Sequence, residues 1–265
     1  MRVLLFIVLA LLIPITLAGQ SKLVWSDEFD LPRGAPPDPQ KWTHDIGGGG
    51  WGNRELQVYT SETGNASHDG TGHLAIRVLK DSEGVHTSAR LKTLRKFEWE
   101  YGKVEGRIRV PFGQGIWPAL WMLGNDFPIS GWPKAGEIDV MEHIGKEPST
   151  VHGTVHGPGY SGKDGISTQT DLAGNQRFSD DFHVFAVIWS PDSIEFFVDD
   201  RSYGRVTPGN LPRGTQWVFD HPFFLLLNVA VGGEWPGYPD TTTVFPQEML
   251  VDWIRVWQLS SKDAK

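Results

Sequence analysis

The chain of 265 residues carries 24 Lys and Arg against 32 Asp and Glu, a net charge of −8 at pH 7, and contains no cysteine. This acidic balance, without any run of basic residues, argues against a nucleic-acid partner. A chain without cysteine has neither disulfides nor a thiol nucleophile, so core burial, with or without a metal, must stabilise it. The 12 tryptophans suit stacking on sugar rings, and an aromatic-rich β core is the alternative use.

The first predicted element is a secretory signal peptide at residues 1–18. Arg2 precedes an apolar run from Val3 to Leu17, and a small residue, Ala18, stands at the expected cleavage site. A transmembrane anchor is the alternative, but the run is short for a span of about 20 residues. We therefore predict a secreted protein, periplasmic or extracellular, that has no membrane contact after cleavage.

Short strand-like runs separated by Gly, Pro, Asn and Asp follow along the rest of the chain, and several alternate apolar and polar residues. Seven such runs are HLAIRVL (73–79), GKVEGRIRV (102–110), EIDVMEHI (137–144), FHVFAVIW (182–189), SIEFFVD (193–199), FFLLLNVAV (223–231) and LVDWIRVW (250–257). The turn SPDS (190–193) predicts a hairpin, and PQEML (246–250) suggests one helical turn. Many strands with almost no helix predict an all-β sandwich of two antiparallel sheets in a single domain.

The run EIDVMEHI places Glu137, Asp139 and Glu142 within six residues. Glycoside hydrolysis commonly needs two carboxyl groups across the scissile bond, one of them protonated. A regular strand would turn Glu142 away from the other two acids, whereas a β-bulge at Val140–Met141 would return it to their face. A solvated acidic edge strand without a bulge is the alternative.

The segment GEIDVMEHIG (136–145) resembles the Glu-x-Asp-x-x-Glu signature of glycoside hydrolase family 16, in its bulged, laminarinase-like branch. Further similar segments are WSDEF (25–29), WGNRELQVYT (51–60), TSARLKT (87–93), GIWPALWML (115–123), VHGPGYSG (155–162), NVAVGGEWPG (228–237) and VDWIRVW (251–257). The resemblance implies a β-jelly-roll sandwich with a concave substrate cleft, formed by one catalytic domain at residues 19–265.

By that resemblance Glu137 is the nucleophile, Glu142 is the general acid/base and Asp139 orients Glu137, in a retaining double displacement. The substrate-binding positions that it implies are Asn53, Arg90, Trp117, Trp121, Trp132, His156 and Glu234. Core packing is the alternative role for the tryptophans, a surface ion pair for Arg90 and a structural loop role for His156. Glu234 departs from the commoner Gly-Gly-Asn-Trp pattern, and an ionised carboxylate accepts but does not donate hydrogen bonds.

A calcium site is also implied, built from main-chain carbonyls of Glu28 and Gly72 and the Asp252 carboxylate. Oxygen-only ligands suit Ca²⁺, which would stabilise the fold without entering the chemistry. No cofactor is expected for catalysis.

The resemblance predicts an endo-acting β-1,3-glucan hydrolase that works on a β-glucan polysaccharide as a monomer. Two alternatives within the chemistry are a mixed-linkage 1,3-1,4-β-glucanase and a galactan-cleaving enzyme. A glucan-binding recognition protein on the same fold is an alternative of a different class, although this chain keeps all three acids. A purely structural sandwich would not need the glycine loops that carry Trp, His and Asn.

Overall fold

A computed structural model describes residues 21–260 of the chain. The predicted signal peptide at residues 1–18 lies outside the described residues. None of the helices in the described part is long and apolar enough to cross a membrane. Seventeen strands, numbered β1 to β17 in chain order, account for most of the regular structure.

Two sheets contain all of these strands. The ten-stranded sheet consists of β1 (Lys22–Asp27), β3 (Val58–Tyr59), β4 (Ala66–His68), β5 (Leu74–Lys80), β6 (His86–Ser88), β8 (Gly102–Arg109), β13 (His183–Ser190), β14 (Ser193–Val198), β15 (Arg201–Val206) and β17 (Gln247–Gln258). The seven-stranded sheet consists of β2 (Thr43–Asp45), β7 (Arg90–Lys92), β9 (Ile116–Gly124), β10 (Glu137–Glu142), β11 (Thr150–His156), β12 (Ile166–Asp171) and β16 (Phe223–Val231). One four-residue helix, α1 (Phe127–Ser130), and two 3₁₀ turns, Gly162–Asp164 and Pro208–Asn210, complete the regular elements.

The predicted all-β sandwich is confirmed, and each of the seven runs overlaps a strand. Ser190 pairs with Ser193 at the predicted hairpin between β13 and β14. The pairing is antiparallel throughout except between β3 and β6, which run parallel. The helical turn expected at 246–250 is wrong, because β17 begins at Gln247 and pairs there with β5.

Strands of the seven-stranded sheet lie in the order β12-β11-β10-β9-β16-β7-β2. Side chains alternate across the interior strand β16: Leu225, Leu227 and Val229 belong to the core shared by both sheets. Phe224 and Leu226 belong instead to a separate small cluster on the other face of that sheet. This second face, called here the outer face, carries the polar and aromatic groups described next.

Candidate active site

A β-bulge interrupts strand β10 at the predicted position. Asp139 pairs with Trp121 of β9, and Met141 pairs with Leu120, so the single step on β9 corresponds to two residues on β10. The other neighbour agrees, because Asp139 pairs with Thr154 and Glu142 with His152 of β11. Val140 and Met141 are both fully buried, as expected for side chains that point into the core.

The bulge brings Glu142 to the outer face together with Glu137 and Asp139. Two residues of β11 show this, because positions two apart on a strand share one face. Thr154 contacts Glu142, with its Oγ1 3.3 Å from Oε2. His156 Nε2 lies 3.2 Å from Asp139 Oδ2 and 3.6 Å from Glu137 Oε1. The three acids therefore form one cluster against β11, and an acidic edge strand without a bulge is excluded.

Both oxygens of Glu142 have a hydrogen-bond donor. Trp117 Nε1 on β9 donates to Oε1 at 3.1 Å, and Thr154 donates to Oε2. Trp117 therefore contacts the carboxyl group itself through its N–H, besides offering its ring to the outer face.

Burial raises the pKa of Glu137 to about 8, and repulsion from Asp139 and Glu142 acts in the same direction, against the attraction of His156 and Arg90. Burial also raises the pKa of Glu142 to about 8, with Asp139 adding to the rise and the donors Trp117 and Thr154 opposing it. The pKa of Asp139 is raised well above its ordinary value by burial. Three carboxylates so close together cannot all be ionised at neutral pH, so the cluster retains protons that a hydrolytic acid can use.

His156 packs beneath the loop that follows it. A Cβ on Gly165 would lie only 2.3 Å from His156 Cε1, so a larger residue at 165 would displace the imidazole. The Trp132 ring lies 6.1 Å from that imidazole and is 46% exposed, which leaves an aromatic surface open to a ligand. Trp132 and His156 thus border the cluster on its Glu137 side.

Arg90 lies between two indole rings on the neighbouring part of the outer face. Its guanidinium carbon is 4.8 Å from the centroid of Trp51 and 4.6 Å from that of Trp121, and its Nε is 3.1 Å from Asp45. Trp121 Nε1 in turn donates to Asn228 Oδ1 at 2.7 Å. These contacts fix the orientation of Trp121 and are more specific than a surface ion pair.

Two glycine-rich loops meet at the rim of this face. The main-chain N–H of Glu234 donates to the carbonyl of Asn53 at 3.3 Å, and the Glu234 carboxylate forms an exposed ion pair with Arg54 at 2.9 Å. Asn53 Nδ2 donates to Glu55 at 3.0 Å. Asn53 and Glu234 therefore lie side by side, but neither contacts the carboxylate cluster.

Trp235, in the same loop as Glu234, reaches towards the Glu142 side of the cluster. Its ring is 5.4 Å from that of Trp117 and 5.0 Å from the His152 imidazole, in edge-to-face orientation. Lys146 Nζ donates to the Trp235 carbonyl at 2.8 Å. The loop is therefore fastened over the Glu142 end of β10.

The geometry adds residues that the sequence did not single out. They are Trp51, Glu55, Thr154, Asn228 and Trp235. A polar Asn228 within the apolar run FFLLLNVAV was a visible signal, as were Trp51 and Trp235 among glycines. Nothing in the sequence marks Thr154, because its role depends on the bulge on the neighbouring strand.

The predicted calcium ligands lie elsewhere, around the ten-stranded sheet. Asp252 on β17 contacts Arg107 through Oδ2 at 2.6 Å, and the Glu28 carboxylate takes two hydrogen bonds from Arg255. Gly72 has φ +92° and lies beside the Asp30 carboxylate. The atoms that could bind a metal ion at these positions are all oxygens, the ligand type that calcium prefers.

Within residues 21–260, one group of metal-ligating side chains has donor atoms within 4.8 Å of one another, namely Glu137, Asp139 and His156. These residues belong to the carboxylate cluster, so an ion held there would compete with its acid–base chemistry.

Comparisons with known proteins agree with this geometry. The sequence profile described as "Glycosyl hydrolases family 16" matches residues 53–255. A beta-glucanase of Rhodothermus marinus is 43% identical over 254 residues, covering 89% of this chain and 85% of that protein. Glucan endo-1,3-beta-glucosidase A1 of Niallia circulans is 35% identical over 91% of this chain, which spans only 38% of that longer protein.

Solved structures share the fold as well. The laminarinase catalytic domain from Thermotoga maritima MSB8 superposes with a TM-score of 0.84 at 49% sequence identity. The match covers 91% of this chain and 99% of that domain. The jelly-roll architecture expected from the sequence is thereby confirmed.

Proposed function

The chain belongs to glycosyl hydrolase family 16, and from that premise we propose that it is an endo-acting β-1,3-glucan hydrolase of the laminarin-cleaving kind. The proposal has support from the relatives, among them a beta-glucanase, a glucan endo-1,3-beta-glucosidase and a laminarinase catalytic domain. It also has support from the tryptophans that border the carboxylate cluster, since indole faces cover the apolar C–H faces of glucosyl rings.

In the first step of the proposed mechanism, ionised Glu137 attacks the anomeric carbon. The glycosidic C–O bond breaks as Glu142 transfers its proton to the leaving oxygen. A covalent glycosyl-enzyme ester on Glu137 results, and the reducing-side fragment leaves. Asp139 orients the Glu137 carboxylate, and His156, which contacts both acids, offsets its negative charge.

In the second step, Glu142 is a carboxylate and takes a proton from water. The water oxygen attacks the anomeric carbon, the ester bond to Glu137 breaks, and the proton taken from water returns Glu142 to its starting, protonated state. Two inversions at the same carbon give net retention of configuration.

A single observation carries this assignment: the bulge at Val140–Met141 turns Glu142 to the face of Glu137 and Asp139. Without it, the acid and the nucleophile would lie on opposite faces of the sheet.

The experiment that tests the proposed substrate is an assay of reducing-end release on laminarin, barley β-glucan, agarose and carrageenan. We expect laminarin to be cleaved fastest, with internal cuts that lower the average chain length early in the reaction. Faster cleavage of barley β-glucan would favour a mixed-linkage enzyme, and activity on galactans alone would contradict the proposal.

Glu137→Gln separates hydrolysis from recognition. This isostere cannot attack the anomeric carbon, so turnover should fall by about 10³-fold or more while laminarin binding persists. Normal hydrolysis by this variant would overturn the role of Glu137. A wild-type chain that binds laminarin without any hydrolysis would identify a recognition protein.

We also propose that a calcium ion binds to the Asp252 carboxylate and to the main-chain carbonyls of Glu28 and Gly72. Its role would be to hold the N-terminal segment against β17, and no catalytic step depends on it.

Secretion through cleavage at residue 18 and action as a monomer complete the proposal. The charged, apolar and small-residue order at positions 1–18 supports secretion. Mass spectrometry of the protein recovered outside the cytoplasm tests it: the expected N-terminus is Gly19, and a retained N-terminus would contradict cleavage there.

A further inference from the structure

The two hydrogen bonds to Glu142 differ in what they permit. The indole N–H of Trp117 can only donate, so Oε1 of Glu142 remains an acceptor in both protonation states. The hydroxyl of Thr154 can donate or accept, so Oε2 has a partner that can change its role. The proton of Glu142 is therefore directed to Oε2.

A second hydroxyl lies behind Thr154. Ser167 on β12 pairs with Thr154 in the sheet, and their hydroxyl oxygens are 3.1 Å apart. Thr154 is buried whereas Ser167 is exposed. The single hydroxyl proton of Thr154 thus has two possible acceptors, Glu142 on one side and Ser167 on the other.

We propose that Thr154, backed by Ser167, is a positioning residue for Glu142 whose hydrogen bond reverses direction during the catalytic cycle. When Glu142 is a carboxylate, Thr154 donates to Oε2 and accepts a hydrogen bond from Ser167. When Glu142 is protonated on Oε2 in the free enzyme, Thr154 accepts from Glu142 and donates to Ser167; when the leaving oxygen takes that proton, Thr154 turns back to donate to Oε2. The alternation of Glu142 between acid and base rests on the proposed function. The hydrogen-bond arrangement rests on geometry alone.

A reversible partner suits a residue that alternates between acid and base. A fixed donor on both oxygens would favour the carboxylate and weaken the acid, whereas an apolar neighbour would leave a buried carboxylate without a partner. Thr154 supports both forms without moving its backbone.

Other charged and titratable groups surround Glu142 and set the background for any test. Asp139 and Glu137 repel its carboxylate from the same strand, and His156 attracts it from β11. His152 is its partner in the β11 register; burial raises the pKa of Tyr203 in the ten-stranded sheet, and the charge of Glu142 adds to that rise. A Thr154 variant leaves all of these groups in place.

The test uses Thr154→Val, which keeps the shape of the side chain and removes the hydroxyl. Thr154→Ser retains the hydroxyl and should rescue the effect. Thr150→Val is the matched control, because Thr150 lies on the same strand and donates to a different carboxylate, Asp171 Oδ1, at 2.6 Å. Thermal unfolding of each variant confirms that it is folded.

The primary readout is the ¹³C NMR titration of the Glu142 carboxyl carbon, assigned by its loss in Glu142→Gln. Thr154→Val removes a partner from both forms of Glu142, but the hydrogen bond to the carboxylate is charge-assisted and therefore the stronger of the two, so the Glu142 pKa should rise by about one unit. Thr154→Ser and Thr150→Val should titrate like the wild type. An unchanged Glu142 pKa in Thr154→Val, or an equal shift in Thr154→Ser or Thr150→Val, would overturn the proposal.

The second readout is the alkaline limb of kcat/KM for laminarin, which reports the acid of the free enzyme. In Thr154→Val this limb should shift to higher pH by about one unit, as the Glu142 pKa does. If the wild type does not hydrolyse glucan, the proposed function fails while the NMR titration still tests the hydrogen bond. A limb that stays in place while the NMR pKa moves would contradict the link to catalysis.

Discussion

Glu142 combines burial with two hydrogen-bond donors; its neighbour Asp139 is buried as well, and Glu137 is partly buried. Each raised pKa means that the folded state holds protons more tightly than the unfolded chain. Stability from such groups is fully present below the unfolded pKa of about 4.5 and is lost as the pH rises through the folded value of about 8. The site is therefore a source of instability at neutral and alkaline pH.

Glu142→Gln tests this loss of folding stability at high pH directly, because the amide is similar in size and carries no charge. We expect equal stabilities of variant and wild type near pH 4, and a variant more stable by about 2 kcal/mol at pH 8. Urea unfolding at both pH values measures the difference. A variant that is less stable than the wild type at pH 8 would contradict the account.

Arg90→Lys tests the stacking between Trp51 and Trp121. Lysine keeps the positive charge near Asp45 but loses the planar contact with both indoles. We expect KM for laminarin to rise about 10-fold, with a smaller change in kcat. The reason is that Trp121 loses its orientation while the carboxylate cluster is unchanged. Lys92→Ala is the control, since Lys92 also pairs with Asp45 but contacts neither tryptophan. Equal effects from the two substitutions would reduce the role of Arg90 to an ion pair.

At the scale of the elements, the sequence predicts strands well where apolar residues alternate or form a run, and poorly where one residue violates the pattern. Strand β9 lies in the middle of its sheet although it contains Pro118, which has no N–H to donate. Residues 247–250 belong to β17 because Met249 and Leu250 are buried there, which the local sequence pattern does not convey. The bulge was predictable because three acids were needed on one face.

Deletion of Met141 tests the bulge as an element. Without this residue, β10 becomes regular, yet Asp139 still pairs with Trp121 and Glu142 still pairs with Ala119. We expect hydrolysis to remain measurable but to fall about 10- to 100-fold, because small shifts of a catalytic group are costly.

Met141→Ala is the matched control, because it keeps the bulge and loses the same buried side chain, at a cost of about 2–5 kcal/mol in stability. The deletion should therefore lose more activity than Met141→Ala at similar stability. A folded deletion variant with full activity would show that the bulge has no catalytic role.

At the scale of the whole molecule, the site draws residues from Trp51 to Trp235 onto one face of a single sheet. Local sequence patterns alone could not show that Arg90 stacks on Trp121, or that Asn228 holds Trp121, because β7, β9 and β16 are distant in the chain. The three acids of β10 and the bulge that joins them on one face could be predicted, because their spacing is local. Further side chains that shift the pKa values of these acids come from other strands. Their positions depend on the strand order, of which the family resemblance implies only the general jelly-roll arrangement.

Calcium removal tests the proposed ion between the chain ends. An ion at 100 times its Kd stabilises the folded state by about 2.7 kcal/mol, which corresponds to a Tm increase of about 5–10 °C for a chain of this size. We expect EDTA to lower the Tm by that amount and Ca²⁺ to restore it.

Asp252→Asn should lose this response, whereas Arg107→Gln should keep it, because Arg107 only pairs with the same carboxylate. A wild-type Tm that is equal in EDTA and in Ca²⁺ would exclude a stabilising calcium site.

The most direct test of the central claim is ¹H NMR of the anomeric configuration of the first product released from a laminarin oligosaccharide. The arrangement of Glu137 and Glu142 predicts that the β-anomer appears first and that the α-anomer grows in later by mutarotation. Initial release of the α-anomer would mean inversion and would contradict Glu137 as a nucleophile, and no cleavage at all would contradict the proposed function.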